Sequence, residues 1–180
     1  MENTKKRLFK TSLLLAVLLF VGLGVQGQNT SKLNDAQIAS VAVTANQIDV
    51  EYAEIAQKIS QNADIKRFAQ TMKDDHNAVI GLAVALAKKL QVTPEDNAVT
   101  KSLLDGAKTT KSQLNKKKGK VFDKAYIDNE VGYHKAVIDA VEKVLIPQTK
   151  NAELKTLLEK VLPTLKIHLK HAEVIQLKFK

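Results

Sequence analysis

The chain has 180 residues and a formal net charge of +9, from 28 Lys and Arg against 19 Asp and Glu. It has no cysteine, which excludes disulfide staples and a cysteine nucleophile, so packing alone must hold the fold. With 7 glycines, 3 prolines and many Ala, Val, Leu and Lys residues, the composition favours helices throughout.

The first segment reads as a targeting sequence. Lys5, Lys6, Arg7 and Lys10 precede an apolar run from Leu13 to Val25, and Val25-Gln26-Gly27 offers an exit before Gln28. This is the pattern of a secretory signal peptide over residues 1–27, with the folded domain at 28–180. The rival reading is an uncleaved membrane anchor, but the apolar run falls short of the roughly 20 residues that a span needs. No cysteine follows the run, which excludes a lipoprotein anchor. The domain at 28–180 contains no further apolar stretch of spanning length.

Four long helices and one weaker helix follow. The first is expected from about Asn34 to Ser60, with Ile38, Val41, Ala45, Ile48, Tyr52, Ile55 and Ile59 on one stripe. The second is expected from Asn62 to about Leu90. Its stripe reads Ile65, Phe68, Met72, Asp75, Val79, Leu82 and Leu86, with His76 on the flank. Pro94, beside Glu95 and Asp96, marks a new helix start. This weaker helix reaches about Lys118 and has a thin apolar face through Val99, Leu103, Ala107 and Leu114, so it reads as a surface crossover. The third long helix runs from Gly119 to Leu145 and is closed by Pro147, with Ile127, Glu130, His134, Val137 and Val141 on its seam. The last runs from about Asn151 to Leu177, with Pro163 expected to kink it. Nothing reads as a strand. The long helical connection between the second and third long helices predicts a ferritin-like antiparallel four-helix bundle over a plain up-down bundle.

The chemical signal is a polar layer. Asp49, His76, His134 and His168 lie near the middle of four different long helices, and mid-helix positions share one level whichever way each helix runs. Neutral imidazole with carboxylate suits zinc, iron, copper or manganese, whereas an all-carboxylate set would suit calcium. Asp49, His76, His134 and His168 are therefore the candidate ligands. Asp75, Glu130 and His171 are supporting groups or alternate ligands, and Glu51 and Glu54 face outward. The competing reading is a structural network in which the same groups hydrogen-bond one another and fix helix packing.

These residues also carry a family resemblance. Asp49 with Ile55-Ala56, Phe68-Ala69, Met72, Asp75-His76, Phe122-Asp123, Tyr126, His134 and Leu162-Pro163-Thr164-Leu165 before His168 resemble the bacterial family called domain of unknown function 4142. The resemblance covers most of the domain. It implies an exported protein, periplasmic or associated with the outer membrane, with a ferritin-like domain and no established reaction. The family usually has glutamate where this chain has Asp49.

A ferritin-type di-iron oxidase is not expected, because its Glu-x-x-His motif is absent and Glu130 and His134 stand four apart. No hydrolase or transferase constellation is present, and the sequence leaves open whether the chain is an enzyme, favouring a non-enzymatic role. Lys116, Lys117, Lys118 and Lys120 sit in a basic stretch that suits an anionic envelope surface. Nucleic acid is disfavoured, because few aromatics interleave with the lysines. Two functions stay open: a metal-binding envelope protein, and a structural or interaction module with no cofactor whose lysines meet an anionic partner.

Overall fold

The computed structural model describes residues 32–179, so the expected signal peptide lies outside the described residues. Those residues fold into helices alone: α1 (Asp35–Ile59), α2 (Ala63–Leu90), α3 (Ala98–Asn115), α4 (Gly119–Ala140), α5 (Ile146–Gln148) and α6 (Ala152–Gln176). A π-helical stretch (Val141–Leu145) joins α4 to α5, and one 3-10 turn (Leu177–Phe179) ends the described chain. No described helix is long and apolar enough to cross a membrane.

Asparagines set most of the helix starts. Asn34, Asn62, Asn97 and Asn151 each accept hydrogen bonds from first-turn N–H groups, satisfying donors that a helix otherwise leaves orphaned. α1 packs along α2, α4 along α6, and contacts of α2 with α6 and α1 with α4 close the bundle. α3 lies on α1 and touches α4.

Three expectations are corrected. The weaker helix does not start at Pro94 but at Ala98, because residues 95–97 are tied sideways to α1. Glu95 N–H bonds to the Ala36 carbonyl, the Asp96 carboxylate accepts from Ser40, and Asn97 caps α3 while its amide donates to the Gln37 carbonyl. Nor does Pro147 close the third long helix. The chain shifts to the wider π spacing before it, with Ile146 N–H bonding to the Val141 carbonyl, and the helix continues to Gln148. Thr149 ends it by bonding the Leu145 carbonyl through both N–H and hydroxyl. Finally, Leu82 is not inward. It is 57% exposed, because the inner face of α2 passes through His76, Val79, Ala83 and Leu86 instead.

α6 is continuous through Pro163. Pro163 and Glu159, one turn before it, are both exposed, so the carbonyl that loses its N–H partner faces water.

The core is in two parts. One packs Tyr52, Phe68, Met72, Phe122, Tyr126 and Ile175, and the other packs Ile38, Val41, Ile138, Leu145, Leu158 and Leu165. In sequence, His76, His134 and His168 fall on their helices where one part gives way to the other, and Asp49 and Glu130 stand at the edge of the first part, so the polar groups form a layer near the boundary of the two.

Candidate metal centre

Each of the long helices places at least one group into this layer. α1 supplies Asp49, fully buried; α2 supplies His76; α4 supplies Glu130 and His134, both fully buried; α6 supplies His168. Ring nitrogens of His76, His134 and His168 lie within 4.8 Å of one another, and a second such group joins Asp49, Glu130 and His134. Asp49 Oδ2 is 3.4 Å from His76 Nε2 and 3.7 Å from His134 Nε2. His134 Nδ1 is 3.7 Å from Glu130 Oε2.

The hydrogen bonds of the three rings decide their chemistry. The side-chain N–H of Asn46 donates to the Ala42 carbonyl (2.8 Å), so Asn46 Oδ1 is the acceptor that faces His76 Nδ1 at 2.7 Å. His76 therefore carries its proton on Nδ1. His134 Nδ1 donates to the Glu130 carbonyl one turn back, at 3.0 Å. His168 Nε2 donates to Asp75 Oδ2 across the helix interface, at 2.9 Å. In each neutral ring the other nitrogen must be an unprotonated acceptor.

Those other nitrogens, His76 Nε2, His134 Nε2 and His168 Nδ1, are buried and find no hydrogen-bond partner among the described residues. Both oxygens of Asp49 and Oε2 of Glu130 share that condition, as does the Tyr126 hydroxyl. A buried polar atom without a partner costs about 1–3 kcal/mol. A protein network would cancel such costs by pairing donors with acceptors; here the free ring nitrogens and the Asp49 oxygens stand unpaired beside one another, and the Tyr126 hydroxyl and the raised Glu130 carboxyl, which can donate, are not bonded to them.

Burial also sets the protonation. It pushes His76 down to about 3, helped by His168 and opposed by Asp75. It pushes His134 down to about 4, against the attraction of Asp49. Burial raises Asp49, with His134 and His168 opposing the rise. Glu130 is pushed well above the usual carboxylate range by burial and by the neighbouring Asp49 charge. At neutral pH the rings of His76 and His134 are neutral, the form in which imidazole binds metals.

The residues present fit a transition metal. Metal–nitrogen bonds of about 2.0–2.1 Å in tetrahedral array put ligand atoms roughly 3.4 Å apart. The Asp49–His76 separation of 3.4 Å meets that spacing, and the Asp49–His134 separation of 3.7 Å is close to it. Asn46, the Glu130 carbonyl and Asp75 are the kind of outer partners that orient metal-binding imidazoles.

Several sequence expectations change in detail. Asp75 was placed on the inner stripe and His76 on its flank, and the structure reverses them. The His76 side chain is 5% exposed and that of Asp75 is 46% exposed. Asp75 reaches the layer only through His168. His171 is exposed and stacks edge-on against Phe68, with ring centres 5.4 Å apart, and takes no part in either converging group. Asn46 was missed. Its signal was available: it stands one turn before Asp49 on the same face of α1, although an amide there reads as ordinary boundary polarity.

Glu51 and Glu54 do face outward, paired with Lys111 and Lys73. Lys116, Lys118 and Lys120 are exposed and Lys117 is half-buried; none of the four pairs with an acidic group among the described residues.

No curated protein matches the chain, and no solved structure does. The family described as domain of unknown function (DUF4142) matches residues 23–175. A match over that span, which is most of the chain, makes the protein a member of the DUF4142 family.

Proposed function

We propose that the protein is an exported, ferritin-like four-helix envelope protein that binds one transition-metal ion in its polar layer. The ligands are His76 Nε2, His134 Nε2 and His168 Nδ1, with Asp49 completing the set and Glu130 beside it. The observation that carries this reading is the set of lone pairs facing one another without a donor between them. A divalent cation satisfies acceptors from all sides at once. The donor set suits zinc, iron, copper or manganese.

The basic start followed by the apolar run at Leu13–Val25 supports export, and we read the periplasm or the outer membrane as the destination. The pairing of α1 with α2 and α4 with α6, with α3 in the long connection, supports the ferritin-like arrangement.

Elemental analysis of the purified untagged protein beside its His76→Ala variant tests the metal. Stoichiometric metal in the first and little in the second supports the site. A metal-free protein that folds and gains no stability from added divalent ions would sink it. The layer would then be structural, and the unpaired lysines Lys116, Lys117, Lys118 and Lys120 would direct the search to an anionic partner.

A further inference from the structure

The inner face of α2 changes character at His76. Before it, Ile65, Phe68, Ala69 and Met72 are all 0% exposed. After it, Val79, Ile80, Ala83 and Leu86 point the same way yet stay partly exposed, because they line a cavity rather than a packed core. The cavity has a volume of about 140 Å³. Its far wall is aliphatic, with Leu158 and Val161 of α6 among its lining residues. One end is polar, where Asp49, His76, His134 and His168 line it. These residues, which carry orphaned atoms, thus also line the cavity, with the atoms themselves turned into the closed cluster beside it.

An apolar cavity of about 150 Å³ admits benzene, so this one, partly open to solvent along α2, has room for a body of about six carbons. Charge decides the other end. Three neutral imidazoles and one carboxylate leave a divalent ion with a net positive charge inside low-dielectric walls, and an anionic ligand group neutralises it. A zinc-type ion held by three histidines keeps its fourth position for an exchangeable ligand, and such sites sometimes expand to five, so an entering carboxylate either displaces Asp49 or adds beside it.

We propose that this chamber binds a short aliphatic monocarboxylate, its chain against the α2 and α6 walls and its carboxylate on the ion at the histidine cluster. The carboxylate end rests on the metal reading above; the apolar end rests on the cavity. Each methylene buried adds roughly fourfold to affinity, so chain length should matter as much as charge.

The test is calorimetric titration of hexanoate and of acetate into the zinc-loaded protein, its Ala83→Phe variant and its Ala87→Phe variant, with zinc content measured in each. Both alanines line the chamber two and three turns beyond His76. Ala87→Phe repeats the test further from the ligands where Ala83→Phe disturbs the zinc. The expected result is one hexanoate per chain, acetate at least tenfold weaker, and hexanoate at least tenfold weaker in a variant that retains its zinc. Zinc uptake without hexanoate binding, or hexanoate binding unchanged by a phenylalanine, overturns this inference alone. Failure of the protein to take up zinc or any other divalent ion overturns the metal reading and this inference together.

Discussion

Asn46 Oδ1 lies 2.7 Å from His76 Nδ1, and this contact decides which nitrogen of His76 faces the polar layer. The amide cannot turn its N–H toward the ring, because that group is held by the Ala42 carbonyl. Asn46→Ala should therefore leave a folded protein whose His76 is free to change tautomer. The expected outcome is a loss of about 10–100-fold in metal affinity, whereas His76→Ala removes stoichiometric binding. Competition against a chelator of known affinity measures both. Equal affinity in Asn46→Ala and the parent would mean that His76 is not oriented by this bond.

Asp49 separates a metal ligand from a structural network by the sign of one effect. The carboxylate is fully buried, and neither oxygen has a hydrogen-bond partner. In metal-free protein at neutral pH, Asp49→Asn exchanges a desolvated acid for a neutral amide of the same shape. The variant should be more stable than the parent by about 1–3 kcal/mol, while its metal affinity falls at least tenfold. Denaturant midpoints of the two metal-free proteins, set beside their chelator titrations, give both quantities. A variant that loses stability in the metal-free state would show Asp49 to be a satisfied member of a hydrogen-bond network.

Acid should weaken the metal-free protein for a reason that can be assigned. His76 and His134 are held at about 3 and about 4 in the fold, against 6.5 for the free group. Between those values the unfolded chain binds protons that the folded chain refuses, so stability is full above about pH 6.5 and is lost as pH falls toward 4. Asp49 and Glu130 act oppositely. Their folded pKa values lie above the ordinary 3.8 and 4.5, so their contribution is present at low pH and is lost as pH rises past those values. The sign of the net slope between pH 4.5 and 6.5 therefore reports which pair dominates. Thermal melts of Glu130→Gln should show a steeper rise in stability with pH across that window than the parent, because one opposing group is gone. An unchanged slope would mean that Glu130 titrates normally. Bound metal should be released over the same acid range, as protons compete for the ring nitrogens.

The level of the polar layer was legible in the sequence because a mid-helix position is insensitive to helix direction and to small errors at the ends. Asp49, His76, Glu130, His134 and His168 needed only the 3.6-residue period and four helices of similar length. What the sequence did not carry is lateral. Residues 95–97 could seed a helix at Pro94 by local rules, yet their hydrogen bonds run to α1, and no local rule sees a neighbouring helix. The reversal of Asp75 and His76 is the same failure on a finer scale. Two adjacent polar residues straddle the edge of a stripe, and which one turns inward depends on His168 drawing Asp75 toward α6. Asn46 was hidden because its role exists only through His76, 30 residues away.

Leu82 and Met72 turn that limit into a measurement. A strict stripe along α2 places both inside, but Met72 is 0% exposed and Leu82 is 57% exposed. The row Phe68, Asp75 and Leu82 steps seven residues at a time and falls back about 20° per step on a 3.6-fold helix, so Leu82 has left the inner face that Val79 and Leu86 still hold. Met72→Ala removes a side chain packed in the aromatic half of the core and should cost about 2–5 kcal/mol. Leu82→Gln exchanges one exposed side chain for another and should change stability by no more than about 0.5 kcal/mol. Urea denaturation of the two variants decides the matter. A cost for Leu82→Gln approaching that of Met72→Ala would mean that the outer face of α2 is covered in solution, and the exposed pair Leu82 and Val84 would then mark where that cover sits.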